Sequence, residues 1–122
     1  MINKNNAEHY SWGHGCDGWH LVKGAELSVI HERMPAGTSE VKHFHRRARQ
    51  FFFVLSGTAT LEFAGRREVL EAHEGIEVPP NVPHQMFNES AREVEFIVVS
   101  QPLVQGDVTS GSSTKLASPG AW

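Results

Sequence analysis

The chain has 122 residues, enough for one domain with a self-sustaining core and too few for two ordinary ones. Eleven Lys and Arg against fourteen Asp and Glu give a formal charge of −3, which argues against a nucleic-acid binder with its basic face. The one cysteine cannot close an intramolecular disulfide, and no apolar run approaches membrane-spanning length or a signal core; the expectation is a cytoplasmic protein with no membrane partner.

In chain order, residues 1–19 read as a Gly-rich N-terminal segment carrying Tyr10, Trp12 and Trp19, expected to pack on the domain or on a partner subunit. Strand chemistry begins with "WHLVK" and "AELSVIHERM". It resumes in "QFFFVL", "TATLEF", "EVL", "IEV", "HQMFN" and "EVEFIVVS". Turn signals separate these pieces, among them "MPAGTSE", "LSGT", "FAGRRE", "VPPNVP" and "FNESARE". No long segment carries a 3.6-residue apolar period. Short strands at a spacing of roughly ten residues predict an all-β sandwich or barrel, here over residues 20–106. From 107 to 122 the chain turns to Ser, Thr, Gly and Ala and reads as an extended or disordered tail.

Period-2 alternation sorts the side chains. Gln50, Phe52 and Val54 share one face of their strand, and Phe51, Phe53 and Leu55 the other. Both faces are apolar, so the strand is expected to be covered twice, on the outside by another sheet or a second subunit. His84, Met86 and Asn88 form another row, and Val94, Phe96 and Val98 a third.

Eight histidines are many for this length, and three of them have useful spacing. His43 and His45 flank Phe44, which on a strand puts both imidazoles on one face at roughly 7 Å between Cα atoms, close enough to share an ion. A four-residue loop leads to Gln50, which can return beside the same point. Pro79, Pro80 and Pro83 stiffen the approach to His84.

These residues give the resemblance. Residues 37–57 follow the first motif of the cupins, G-x5-H-x-H-x3,4-E-x6-G, with Gln50 in place of the glutamate. Residues 79–88 resemble the end of the second, P-x-G-x2-H-x3-N, with Asn81 in place of the glycine, a residue that also tolerates positive φ. His73 stands where the upstream glycine is expected. The resemblance, over roughly residues 20–104, implies a double-stranded β-helix (jelly-roll) barrel and often a homodimer. It further implies one divalent ion held by His43, His45, Gln50 and His84. Ligand type allows Zn, Ni, Mn, Fe or Cu.

Phe52, Met86, Phe96 and Val98 are expected to form the pocket wall. His31 is considered as a catalytic group, against the commoner reading of a strand histidine as a packing residue. Glu32 and Arg33 read as a rim or surface pair. His9, His14, His20 and His73 have no recommending spacing. Small cupins that linearise unsaturated uronates are similar in size and in a three-His, one-Gln set. The segment "EFIVVSQPLVQGDV" lacks the arginine expected there, which leaves that reaction unsupported. Three classes stay open. One is a redox-neutral isomerase- or lyase-like metal enzyme on a small oxygenated molecule such as a sugar acid or keto acid. The others are a metal-dependent dioxygenase and a non-catalytic small-molecule binding module.

Overall fold

The computed structural model describes residues 1–102 and the backbone of a short strand at Thr109–Ser110. The remainder of the tail assigned to 107–122 lies outside the described residues. Among those described there is no helix, and none long and apolar enough to cross a membrane.

The described residues form eleven strands in two antiparallel sheets. They are β1 (Glu8–Trp12), β2 (Cys16–Lys23), β3 (Ser28–Met34), β4 (His43–Phe44), β5 (Arg49–Ser56) and β6 (Ala59–Phe63). β7 (Arg66–Leu70), β8 (Gly75–Val78), β9 (His84–Phe87), β10 (Val94–Gln101) and β11 (Thr109–Ser110) complete the set. One sheet has the order β1-β2-β3-β10-β5-β8 and the other β11-β4-β9-β6-β7. Consecutive strands fall repeatedly in different sheets, so the two faces close on one interior, as in a jelly roll.

The interior is built by the predicted alternation. Phe52, Val54, Met86, Val94, Phe96 and Val98 have no exposed surface, while Phe51 on the opposite face is 41% exposed. Gly57 ends β5 at φ 82°, and a Cβ there would stand 2.5 Å from Glu93 O and 2.9 Å from Val94 Cα. Only glycine fits both demands. His73 and Asn81, the two departures from the glycine pattern, also adopt positive φ, at 69° and 66°. The backbone demand persists although the glycines do not.

The segment 1–19 supplies β1 and half of β2, both paired within the larger sheet. Tyr10 and Trp12 face inward and Trp19 outward. Tyr10 is register partner to Gly18, whose missing side chain leaves the room that the tyrosine ring fills. One reading of β3 needs correction. Glu32 is not a rim residue: it alternates with Ile30 and Met34, is fully buried, and accepts hydrogen bonds from Tyr10 Oη and Trp12 Nε1, each at 2.6 Å. Arg33 does lie at the surface, paired with Asp17 and Glu93. His31 lies on the outer face, edge-on to Trp19 and 2.7 Å from Glu95 Oε1, so it is not brought to the interior histidines.

Candidate metal centre

His43 and His84 are register partners across β4 and β9, and His45 stands two residues beyond His43 on the same side. Their ring centroids lie 4.6 Å (His43–His84), 4.9 Å (His43–His45) and 5.6 Å (His45–His84) apart. One candidate ligand atom from each lies within 4.8 Å of the others, and all three side chains are buried. Two nitrogens bound to one ion at ~2.1 Å each stand at most ~4.2 Å apart, so closing on an ion asks for small ring movements only.

The backbone sets the tautomers. His43 Nδ1 lies 2.7 Å from Val41 O and His84 Nδ1 2.9 Å from Val82 O. A carbonyl can only accept, so in the neutral ring the proton sits on Nδ1 and Nε2 keeps its lone pair. This second hydrogen bond is the one that orients metal-binding histidines generally. Burial, then the neighbouring His43, hold the pKa of His84 down at about 3. Its ring is neutral and ready to ligate at ordinary pH.

Gln50 faces the same interior from β5, in the other sheet. Its Nε2 donates to Ser100 Oγ at 3.0 Å, while Oε1 is buried without a hydrogen-bond partner. His84 Nε2 is in the same position. Buried acceptors left unmatched cost about 1–3 kcal/mol each. Two of them in one interior, of the types that bind divalent ions, fit a cation at this point. Asn88, the last residue of the second motif, is structural: its Nδ2 donates to Met34 O and Arg92 O. Asn81 N donates to His45 O at 2.6 Å, joining the two motif loops.

Of the four expected wall residues, Phe52 meets the group, lying edge-on to His84 at 5.7 Å between ring centres. Phe96 packs behind Phe52 at 6.4 Å. Val98 and Met86 are fully buried members of the same core.

Two residues escaped the sequence reading. Glu40 is buried beside the group, its Oε2 3.7 Å from His43 Nδ1 and its Oε1 accepting from Met86 N at 2.8 Å. Burial raises its pKa well above the usual carboxylate value. His20 lies on the inward side of β2, in the register row His20–Ile30–Val98–Phe52, with its ring 5.0 Å from that of Tyr10. Burial lowers its pKa and favours the neutral ring. The alternation Cys16, Gly18, His20 carried that signal; for Glu40, in a loop without periodicity, there was none.

A buried group of three histidines on the smaller of two jelly-roll sheets, spaced to hold a metal ion, defines a class of small β-barrels. The Cupin domain family model matches residues 30–100, and the chain belongs to that family. Three solved structures share the fold. KdgF from Halomonas sp. is 15% identical, with a TM-score of 0.79 over 87% of this chain and 97% of that one. An RmlC-like cupin from Shewanella frigidimarina is 23% identical, with a TM-score of 0.78 over 87% and 93%. A predicted oxalate decarboxylase from Thermotoga maritima is 18% identical, with a TM-score of 0.74 over 84% and 99%. At these identities the likeness is one of fold. No curated protein sequence matches the chain.

Proposed function

We propose that the chain is a metal-dependent enzyme of redox-neutral chemistry, isomerase- or lyase-like, acting on a small oxygenated molecule such as a sugar acid or keto acid. What supports this is the buried group of three imidazoles, with Gln50 Oε1, unpartnered in the same interior, as the neutral donor we assign to the fourth place. A glutamate at 50 would reduce the charge of a divalent site to +1, whereas the amide leaves it at +2. Bound there, a divalent ion supplies a strong Lewis acid for a carbonyl or ring oxygen.

The chain's own residues supply the rest. Val41 and Val82 carbonyls hold two histidines in the ligating tautomer. Phe52, backed by Phe96, keeps that side of the group dry. His20, neutral and with Nδ1 buried and unpartnered, is the group we assign to taking and returning a proton. One structural neighbour is a predicted oxalate decarboxylase, and oxalate is a small oxygenated acid of the substrate class proposed.

The test is metal analysis of the purified chain, followed by turnover of a panel of uronates and keto acids with oxygen excluded. Conversion under those conditions that His20→Gln slows is the expected result. Turnover that consumes oxygen would replace the proposal by a dioxygenase, and tight ligand binding without turnover by a binding module.

We also infer a homodimer. Val22, Val29, Phe51, Phe53, Ile97 and Val99 make an outward apolar face on the larger sheet, with Phe51 41% and Val22 43% exposed. Light scattering should give twice the chain mass, and Phe51→Glu should halve it; a monomeric wild type refutes the inference.

A further inference from the structure

We propose that Glu40 is a positioning residue for the metal centre: its carboxyl pins the β-bulge that turns His43 into the interior. The inference rests on the proposed metal reading. The bulge is visible in the register. Ser39 bridges Phe87, and Glu40 N donates to Met86 O at 3.0 Å. Continued regularly, that ladder would bring Lys42 opposite His84; instead His43 stands there. One extra residue has entered the strand between Glu40 and His43. Burial carries the same mark. Glu40 and His43 are 4% and 0% exposed, while Val41 and Lys42 between them are both exposed. Strict alternation from Glu40 would turn Lys42 inward and His43 outward. The slip is what delivers the first imidazole to its partners.

Glu40 holds this irregular stretch. A regular hydrogen-bonded pair would exchange two backbone bonds between Glu40 and Met86. The first is made, from Glu40 N. In place of the second, Met86 N donates to Glu40 Oε1 at 2.8 Å, and Glu40 O accepts from Gln85 Nε2 at 2.9 Å. Side chains have replaced the ladder where the backbone leaves it. A backbone N–H can only donate and a backbone carbonyl only accept, so the direction of both bonds is fixed. Without the carboxyl, Met86 N would be a buried donor whose backbone acceptor has moved away. The bulge also supplies the Val41 carbonyl that orients His43, at 2.7 Å from Nδ1, whereas the second oxygen of Glu40 stays 3.7 Å from that nitrogen. Glu40 acts by reach, through the shape of the loop, and not as a ligand.

The experiment separates reach from charge on the full chain, with two readouts. Co(II) binding is read by chelator competition and by the visible spectrum of the bound ion. Exchange of the Met86 amide, relative to that of Val98 on β10, is read by NMR on the metal-free chain. Glu40→Met keeps the length and loses the acceptor, and Glu40→Asp keeps the charge and loses the reach. Both should weaken Co(II) by about 10- to 100-fold, as loss of a ligand-orienting partner does. Both should also shift the visible bands and speed Met86 exchange. Glu40→Gln keeps an oxygen at the same reach without the charge and should restore both readouts. Tyr10→Phe, which costs stability on the other sheet, should leave Co(II) binding unchanged. If Glu40→Met does not fold, Glu40→Asp against Glu40→Gln carries the comparison. A Glu40→Gln protein as weak as Glu40→Asp, or variants that speed Met86 exchange yet bind Co(II) as the wild type does, overturn the assignment. An equal loss of Co(II) in Tyr10→Phe does so too. A wild type that takes up no Co(II) overturns the metal reading, while Met86 exchange still decides whether the carboxyl pins the bulge.

Discussion

Tyr10→Phe should destabilise the chain by more than any surface substitution, although it removes one oxygen atom. The ring lies over Gly18, so phenylalanine keeps the packing and isolates the hydroxyl. That hydroxyl donates at 2.6 Å to Glu32, a carboxyl with no exposed surface whose other oxygen is held by Trp12. A hydrogen bond to a neutral carboxyl contributes about 0.5–1.5 kcal/mol, and one to an ionised carboxyl about 1.5–3 kcal/mol. For a domain of this size the two ranges correspond to roughly 2–6 °C and 6–12 °C in Tm.

The cost should also depend on pH. Burial raises the pKa of Glu32 well above 4.5, and the hydrogen bond from Tyr10 acts in the opposite direction. The folded chain therefore holds a proton that the unfolded chain releases. Stability from this carboxyl is fully present below pH 4.5 and is lost as pH rises through the folded value. Removing the Tyr10 hydroxyl raises the folded value further, so the penalty grows with pH. Urea unfolding at pH 5 and pH 8 is the assay, with the larger loss expected at pH 8. A cost under about 0.5 kcal/mol at both pH values, or one that shrinks as pH rises, would refute the account of Glu32.

Three further outcomes are expected. His43→Ala should weaken retention of a divalent ion by at least ~100-fold, since it takes one of three imidazoles from the group; equilibrium dialysis followed by elemental analysis reads this. Gln50→Glu should bind the ion more tightly but turn over substrate more slowly, because the added charge lowers Lewis acidity; dissociation constant and kcat moving in opposite directions would contradict the charge argument. Gly57→Ala should cost more than ~2 kcal/mol, from a positive φ of 82° and a Cβ forced against Glu93 O, and calorimetry would register the fall in Tm.

Much of this architecture was legible because β5, β9 and β10 alternate cleanly, and alternation alone separated Gln50 and Phe52 from Phe51 and Phe53. Motif spacing carried His43, His45 and His84, whose grouping depends on two loops rather than on local propensity. What failed did so for identifiable reasons. Glu32 was read by its charge, although its strand period matched Ile30 and Met34; Tyr10 and Trp12 supply the donors that a charge-based reading could not foresee. Tyr10 and Trp12 were hidden in turn by the glycines around them, which signal loops but here bound a tight β1–β2 hairpin. Strand parity carries His31 outside to Glu95, in keeping with its commoner reading as a packing residue.

The division of the donors between sheets bears on how the chain comes apart. All three imidazoles hang from the smaller sheet, on or beside β4 and β9, and Gln50 from the larger one, on β5. A cation gripped by all four would rivet one layer to the other beside the β4–β5 and β8–β9 connections that already run between them. Withdrawing it would then do more than silence chemistry: the two layers would part sooner under heat or protease, and the lifetime of the folded chain would become a gauge of its ion supply.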